Sequence, residues 1–559
     1  MNKIVIIVLL ISTLFSKMPD AVSQNGMVVS SNAIASRIGA QVLRDGGNAV
    51  DAAVAVGFAL AVVHPGAGNI GGGGFMVIRF ADGTATTIDF REVAPLASSK
   101  DMFLDENGEV ISGKSWNTSY AVGVPGTVAG LGYVHEKYGS KRWSSLITPS
   151  IKVARYGHEI DYLNYMLLNS PYYKNFLSND PETRSIFVKA DGYQVGDLFI
   201  QEDLANTLSR ISSYGYKEFY KGKTADMIVN CMDRTNGLIT HLDLINYQPV
   251  ERNPIEFYYR DNKVITMPPA SSGGVVLAEI LNQLETIDLS SISFHSTDHI
   301  HYMSEIEKRA YADRAEVLGD MDFIEIPIDS LISDAYAAFK ASDIDCCKST
   351  NSEDIIPFKT ITTEKEETTH YSVVDKWGNA VSVTTTVNGW YGSGITVDNA
   401  GFLLNNEMDD FSIKPGHPNK YGLVGSWANS IAPNKRMLSS MSPSIIEDEE
   451  GDLFLVVGSP GGSTIITTVA QIISNVIDYN MSLKDAVESP RTHHQWLPDK
   501  ITIEDSRFSP HVIDKLEEYG HDIGIKRSIG EANCIMYDKK LNLFYGVSDD
   551  RRNGQAIGY

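Results

Sequence analysis

Hydrophobic and polar positions divide the chain into a helical opening, a first group of strands, a long mainly helical middle and a second group of strands. From Met27 to Pro65 the apolar residues recur at helical spacing. Ser30-Ser31-Asn32 can cap a helix over Ala33–Leu43, Asp45-Gly46-Gly47-Asn48 breaks it, and a second helix runs from Ala49 to about Val63. That second helix is very apolar, with Asp51 in its first turn where the helix dipole favours an anion, so it reads as a core helix. Strands follow over Phe75–Phe80 and Ala85–Phe90. The region 125–345 is mostly helical, as in Leu204–Tyr214, Ala225–Met232, Val275–Leu284 and His299–Leu318, with a strand pair around Ile255–Met267. Beyond Thr368 strand alternation returns at Tyr371, Val373, Val381 and Val383 around a Lys376–Asn379 turn, then at Phe454–Val457. Helices are expected near Ile465–Tyr479 and Pro510–Tyr519. With strands grouped at both ends and no internal repeat, the pattern predicts an α+β protein whose sheet system draws on both ends of the chain.

One junction in this pattern carries chemistry. The polar run Thr362-Thr363-Glu364-Lys365-Glu366-Glu367 has no apolar period and reads as an exposed loop, yet it leads straight into a strand opening Thr368-Thr369-His370-Tyr371. A chain cut between Glu367 and Thr368 would give one residue both a hydroxyl nucleophile and a free α-amine to act as its base. Taken alone, the segment also fits a surface hairpin that starts with two threonines.

Composition narrows the class. The 559 residues, 43% hydrophobic and 21% charged, are ordinary for a globular protein with a large core, and a formal net charge of −23 argues against a nucleic-acid partner. Residues 1–23 have the form of a signal peptide. Lys3 precedes an apolar stretch Ile4–Phe15, and Ala21-Val22-Ser23 offers small residues before a cut at Gln24, so an exported, periplasmic or secreted protein is expected. Cys231, Cys346, Cys347 and Cys534 form neither a disulfide framework nor a zinc-ligand spacing. No cofactor or metal is expected.

Several motifs compete for a function. Gly66-Ala67-Gly68-Asn69-Ile70-Gly71 spells a dinucleotide string, but it follows a helix and precedes a strand, the reverse of the required order. The glycines through Gly74 better suit close backbone packing. Pro268–Gly274 has strand–loop–helix order without the Gly-Lys-Ser/Thr ending of a phosphate loop, and His493-His494, on a strand, would face opposite ways. Gly458-Ser459-Pro460-Gly461-Gly462-Ser463 lies between an apolar strand and a helix, where successive amides can line an oxyanion hole or simply make a turn. Asn405-Asn406-Glu407-Met408-Asp409-Asp410 with Leu438-Ser439-Ser440-Met441 could hold a zwitterion or, being rich in oxygen, a divalent cation.

In this order and spacing, together with Asp45–Ala53, Phe90–Pro95 and Gly123–Gly126, these segments resemble the γ-glutamyltranspeptidase (glutathione hydrolase) family over the whole chain after the leader. The resemblance implies the four-layer αββα sandwich of the N-terminal nucleophile hydrolases. It implies a precursor that cuts itself into a large subunit, 24–367, and a small one, 368–559, which form a heterodimer. Thr368 matches the nucleophile, Thr386 its supporting hydroxyl, and Gly461 with Gly462 the oxyanion hole. Arg91, Ser439 and Ser440 match the grip on the substrate α-carboxylate, and Asn388, Glu407 and Asp410 the grip on its α-amine. Tyr421 lies in a segment, Pro415–Ser426, that resembles the active-site lid of bacterial members; Glu407 stands where many bacterial relatives carry glutamine. The implied donors are glutathione and other γ-glutamyl compounds, with water, amino acids or dipeptides as acceptors. A β-lactam side-chain acylase on the same fold, or a non-catalytic amino-acid-binding protein, are the competing functions.

Overall fold

The computed structural model describes residues 17–358, 368–414 and 426–559. Residues 1–16 of the expected leader, Glu367 and Tyr421 with its surrounding loop lie outside them. The last three residues of that leader, Ala21–Ser23, form an edge strand paired with Phe544–Gly546, which a cut before Gln24 would remove. No described helix is long and apolar enough to cross a membrane.

Two seven-stranded sheets pack face to face, and the strands of each come from both ends of the chain. One sheet runs in the order Gln555–Gly558, Met27–Ser30, Thr369–Val374, Ala380–Thr386, Gly73–Arg79, Ala85–Asp89 and Val250–Arg252. The other runs Ala21–Ser23, Leu543–Ser548, Asn533–Asp538, Leu453–Val457, Ser444–Glu447, Asn262–Thr266 and Ile255–Tyr259. The strand pair that interrupts the helical middle is therefore the far edge of this second sheet. Three apolar cores identify the layers. Met27, Val29, Phe75, Val77, Ile265, Met441, Val456 and Ile535 fill the space between the sheets. The helix Ala49–Val63 covers the outer face of the first sheet with Val28, Met76 and Val383, and the helices Gly273–Glu285, Thr297–Val317 and Thr464–Ile477 cover the second. This is the αββα sandwich.

The expected helix start at Ala49 is bound on both sides. Asn48 Oδ1 accepts from the Asp51 amide at 2.9 Å and Asp51 Oδ2 accepts from the Asn48 amide at 3.0 Å, a reciprocal cap that suits an all-buried helix with no polar face of its own. The strand Thr369–Val374 sits mid-sheet, paired with Ala380–Thr386 along its whole length and with Met27–Ser30 from Tyr371 onward.

The two sheets are in close contact where Gly458, after the strand Leu453–Val457, meets His370. A Cβ on Gly458 would lie 2.3–2.7 Å from three atoms of the His370 ring, and burial pushes that imidazole down to about 3, so it stays neutral. Gly458→Ala is expected to destabilise the protein by about 1–3 kcal/mol, the usual penalty of overpacking a filled core. Urea unfolding of the variant checks this; an unshifted midpoint would mean the sheets separate freely at this point.

Candidate active site

The backbone of the two central strands sets the first part of the site. Thr369 pairs with Thr385, so the next step of the register puts Thr368 opposite Thr386. Thr368 is buried, and its Oγ1 has no hydrogen-bond partner among the described residues. Leaving a buried hydroxyl unpaired costs about 1–3 kcal/mol, and Thr368 shares this state with Ser98, Ser150, Ser304, Ser412 and Thr468, so its place at the head of the strand is what sets it apart. Thr386 Oγ1 accepts from the Asn388 amide at 2.8 Å. Asn388 takes a left-handed conformation (φ 68°), which turns its side chain so that Nδ2 donates to the Asn406 carbonyl at 3.0 Å while Oδ1 stays unpaired. Asn69 pins the strand end by donating to the Thr386 carbonyl at 2.8 Å and accepting from the Gly72 amide at 2.9 Å. A Cβ on Gly72 would sit 2.0 Å from that same carbonyl, so the glycine run is there for close backbone packing, as its sequence context suggested.

The second part is a buried ion cluster. Arg91 follows the strand Ala85–Asp89, and its amide donates to Asp89 Oδ1 at 3.0 Å. Its guanidinium reaches Glu407 through Nη1 and Asp410 through Nη2, with Glu92 3.9 Å away; all four side chains are fully buried. Nε donates to the Met437 carbonyl at 3.3 Å and Nη2 to the Leu438 carbonyl at 3.2 Å. Asn405 shapes this corner: its Oδ1 accepts from the amides of Gly123 (2.9 Å) and Glu407 (3.1 Å) and its Nδ2 donates to the carbonyls of Gly71 and Gly123, both at 2.8 Å. The oxygen-rich segment thus closes around a guanidinium.

The third part is the wall opposite. The Ser439 amide donates to the Ala270 carbonyl at 2.9 Å, and the Ser439 carbonyl accepts from the Ser272 amide (2.7 Å) and hydroxyl (2.6 Å). Ser440 Oγ accepts from Arg314 Nη2 at 2.9 Å, leaving its own O–H to donate elsewhere. The Pro268–Gly274 loop therefore props up this pair of serines. Gly461 (φ 140°) and Gly462 (φ 65°) make the turn before the helix Thr464–Ile477, and a Cβ on Gly461 would lie 2.4 Å from Thr464 Oγ1. Their carbonyls accept from Thr464 and Ile465, while neither of their amides donates to a described acceptor. Two amides left open at a helix N-terminus can receive a developing oxyanion.

A sequence model for γ-glutamyltranspeptidases matches residues 35–559. The chain belongs to the γ-glutamyltranspeptidase family. It is 48% identical to the glutathione hydrolase proenzyme of Escherichia coli (strain K12), over 95% of this chain and 91% of that protein, and 38% identical to that of Bacillus subtilis (strain 168), over 96% and 92%. A crystal structure of Helicobacter pylori γ-glutamyltranspeptidase, 43% identical, superposes with a TM-score of 0.58 over 61% of this chain and 97% of that one. A cephalosporin acylase from Bacillus halodurans shares the fold (TM-score 0.80, 97% of each chain) at 22% identity.

The structure brings Thr386 and Asn388 beside the Thr368 strand, gathers Arg91, Glu407 and Asp410 into one cluster, and lays Ser439 and Ser440 next to it through Met437 and Leu438. Glu367 and Tyr421 are not among the described residues. The supporting side chains Asn69, Ser272 and Arg314 were not singled out in the sequence, because each acts through a partner at least 126 positions away, as between Arg314 and Ser440.

Removing Arg91 alone would leave Glu407 and Asp410 buried without their cation. Arg91→Met is expected to cost about 3–5 kcal/mol of stability, and adding Asp410→Asn to recover part of it. Equal urea midpoints for the single and double variants would show that the carboxylates do not depend on Arg91.

Proposed function

We propose that the chain is an exported proenzyme that cuts itself between Glu367 and Thr368, and that the new N-terminal threonine then transfers γ-glutamyl groups from glutathione and related donors. The observation that carries this reading is the buried Thr368 hydroxyl at the head of a central strand, without a hydrogen-bond partner among the described residues. Family membership and the proenzyme names of the relatives support it. So does the match to the Helicobacter pylori chain, whose 61% share of this sequence is what a large subunit ending at residue 367 would give.

Once the peptide bond before it is broken, the Thr368 α-amine titrates near pH 8 and can take the proton from its own hydroxyl near neutrality. Thr368 Oγ1 attacks the γ-carbonyl carbon of the donor, whose oxygen becomes an oxyanion facing the Gly461 and Gly462 amides. Collapse breaks the amide bond. The proton passes to the leaving amine, and a γ-glutamyl ester remains on Thr368. Water then releases glutamate, or the amine of an amino acid or dipeptide takes the γ-glutamyl group, with Thr368 Oγ1 regaining its proton in either case. The free amino-acid head of the donor fits the buried cluster by exchanging partners. Its α-carboxylate takes Arg91 in a bidentate pair, with the Ser439 and Ser440 hydroxyls donating, while its α-ammonium takes Glu407, Asp410 and the open Asn388 Oδ1. An acylase for a glutaryl or arylacetyl β-lactam side chain has no ammonium to place, so the Glu407 and Asp410 carboxylates disfavour that reading.

Thr368→Ala is expected to leave one full-length, inactive chain on a denaturing gel, and Thr368→Ser to give the two subunits more slowly, the smaller one starting at residue 368. Normal two-band product from the alanine variant, confirmed by N-terminal sequencing, would overturn the assignment. Asp410→Ala should still be cut but lose donor affinity by roughly 30-fold or more, the scale set by about 2–5 kcal/mol for a broken buried charge contact. Steady-state kinetics with glutathione measure it, and an unaltered KM would remove Asp410 from the binding set.

A further inference from the structure

A second cleft, of about 440 Å³, opens near the C-terminal end of the chain and contains four arginines, Arg507, Arg527, Arg551 and Arg552, in a protein whose net charge is −23. Glu504 and Asp550 also line it. Two of the arginines are committed. Arg551 binds Glu504 through Nη2 and Asp549 through Nη1, and Arg507 lies 3.4 Å from Glu504 and 3.9 Å from Asp550. Arg527 is exposed and has no ion pair or hydrogen bond with any described residue.

Arg552 forms the inner wall. Its Nη1 is 3.1 Å from Glu531 Oε2, but neither atom reaches hydrogen-bond geometry. Burial pushes the Glu531 carboxyl up to about 7, so this counter-charge is only partly present at neutral pH. The Arg552 guanidinium carbon lies 4.9 Å from the centre of the Trp390 ring, two residues beyond Asn388. On its other side, the Glu531 amide donates to Ser459 Oγ at 2.9 Å, and Gly530 Cα is 3.2 Å from where a Cβ on Gly461 would stand. Arg552 therefore links the cleft to the Gly461–Gly462 turn through Glu531 and Gly530, and to the Asn388 segment through Trp390.

We propose that this cleft holds the terminal carboxylate of the leaving dipeptide when glutathione is the donor, with Arg552 and Arg527 as its cations. The proposal rests on the γ-glutamyl transfer reading above. A glutamyl head held at Arg91, with its γ-carbonyl at Thr368, sends the leaving peptide away from the Arg91 cluster past the Gly461 turn. A dipeptide spans at most about 7 Å when extended, so its carboxylate needs a cation close behind that turn. Arg552 connects to the turn through Glu531 and Gly530, and apart from its ion pair with Glu531 its Nη1 makes no hydrogen bond to a described residue. Arginine suits the task because its planar fork matches a carboxylate.

The test compares kcat/KM for glutathione with that for its glycinamide, in which a carboxamide replaces the glycine carboxylate and the scissile bond is unchanged. The wild-type enzyme is expected to favour glutathione by about tenfold, equivalent to about 1.4 kcal/mol. In Arg552→Gln and in Arg527→Gln the preference should fall towards one, and in wild type it should shrink as salt is raised. Arg527 is exposed and unpaired, so its variant carries the test if Arg552→Gln fails to fold. A wild type that treats the two donors alike, or a tenfold preference that survives in both variants, would overturn the subsite. A wild type that cleaves neither donor, nor a γ-glutamyl anilide, would instead overturn the transfer reading on which it rests.

Discussion

A fully buried guanidinium held between two carboxylates is the constraint around which this site is organised. Charges taken out of water are tolerated only when they are paired and hydrogen-bonded, and Arg91, Glu407 and Asp410 meet that requirement with one another and with the Met437 and Leu438 carbonyls. Such a cluster is a weak source of stability but a strong source of selectivity. In the proposed reaction an incoming amino-acid head restores every pairing it disrupts, since it brings one anion for Arg91 and one cation for the carboxylates. A ligand with only one of the two charges would leave the other half of the cluster buried and uncompensated. Selection for a γ-glutamyl group then follows from the penalty on alternatives as much as from the contacts it makes.

The same economy places the proposed nucleophile. Thr368 heads a strand locked into the middle of a sheet by Met27–Ser30 on one side and Ala380–Thr386 on the other. Those two neighbouring strands lie far apart in the chain, and the second sheet likewise pairs strands from both ends. A cut before Thr368 would therefore separate two segments that remain joined through both sheets and through the apolar core between them. The fold permits a chain break at the point where the chemistry needs a new terminus, without loosening the site around it.

Much of this was legible in the sequence, and the reasons are local. The helix Ala49–Val63 announces itself through an unbroken apolar run behind an Asn48/Asp51 cap, and the strands around residue 370 through period-two alternation. The glycines at 71–74 and 461–462 show that backbone must pass close to something, though only the structure shows that the neighbours are Leu403, Thr386 and Thr464. What the sequence concealed was pairing across long separations. Nothing local says that Arg314, inside a helix, supports Ser440, or that Asn69 holds the end of the strand carrying Thr386. It also left Glu407 and Asp410 open to reading as cation ligands, because whether carboxylates converge on a metal or a guanidinium depends on where Arg91 comes to rest.

The proposed reaction turns on a covalent step at one oxygen atom, Thr368 Oγ1. The most direct measurement is mass spectrometry of enzyme quenched in acid during turnover of a γ-glutamyl donor, with the adduct mapped by proteolysis. A γ-glutamyl ester on the N-terminal threonine of the smaller subunit, at Thr368, is the expected result. Turnover with the adduct on any other residue, or with none detectable when deacylation is made rate-limiting, would contradict it.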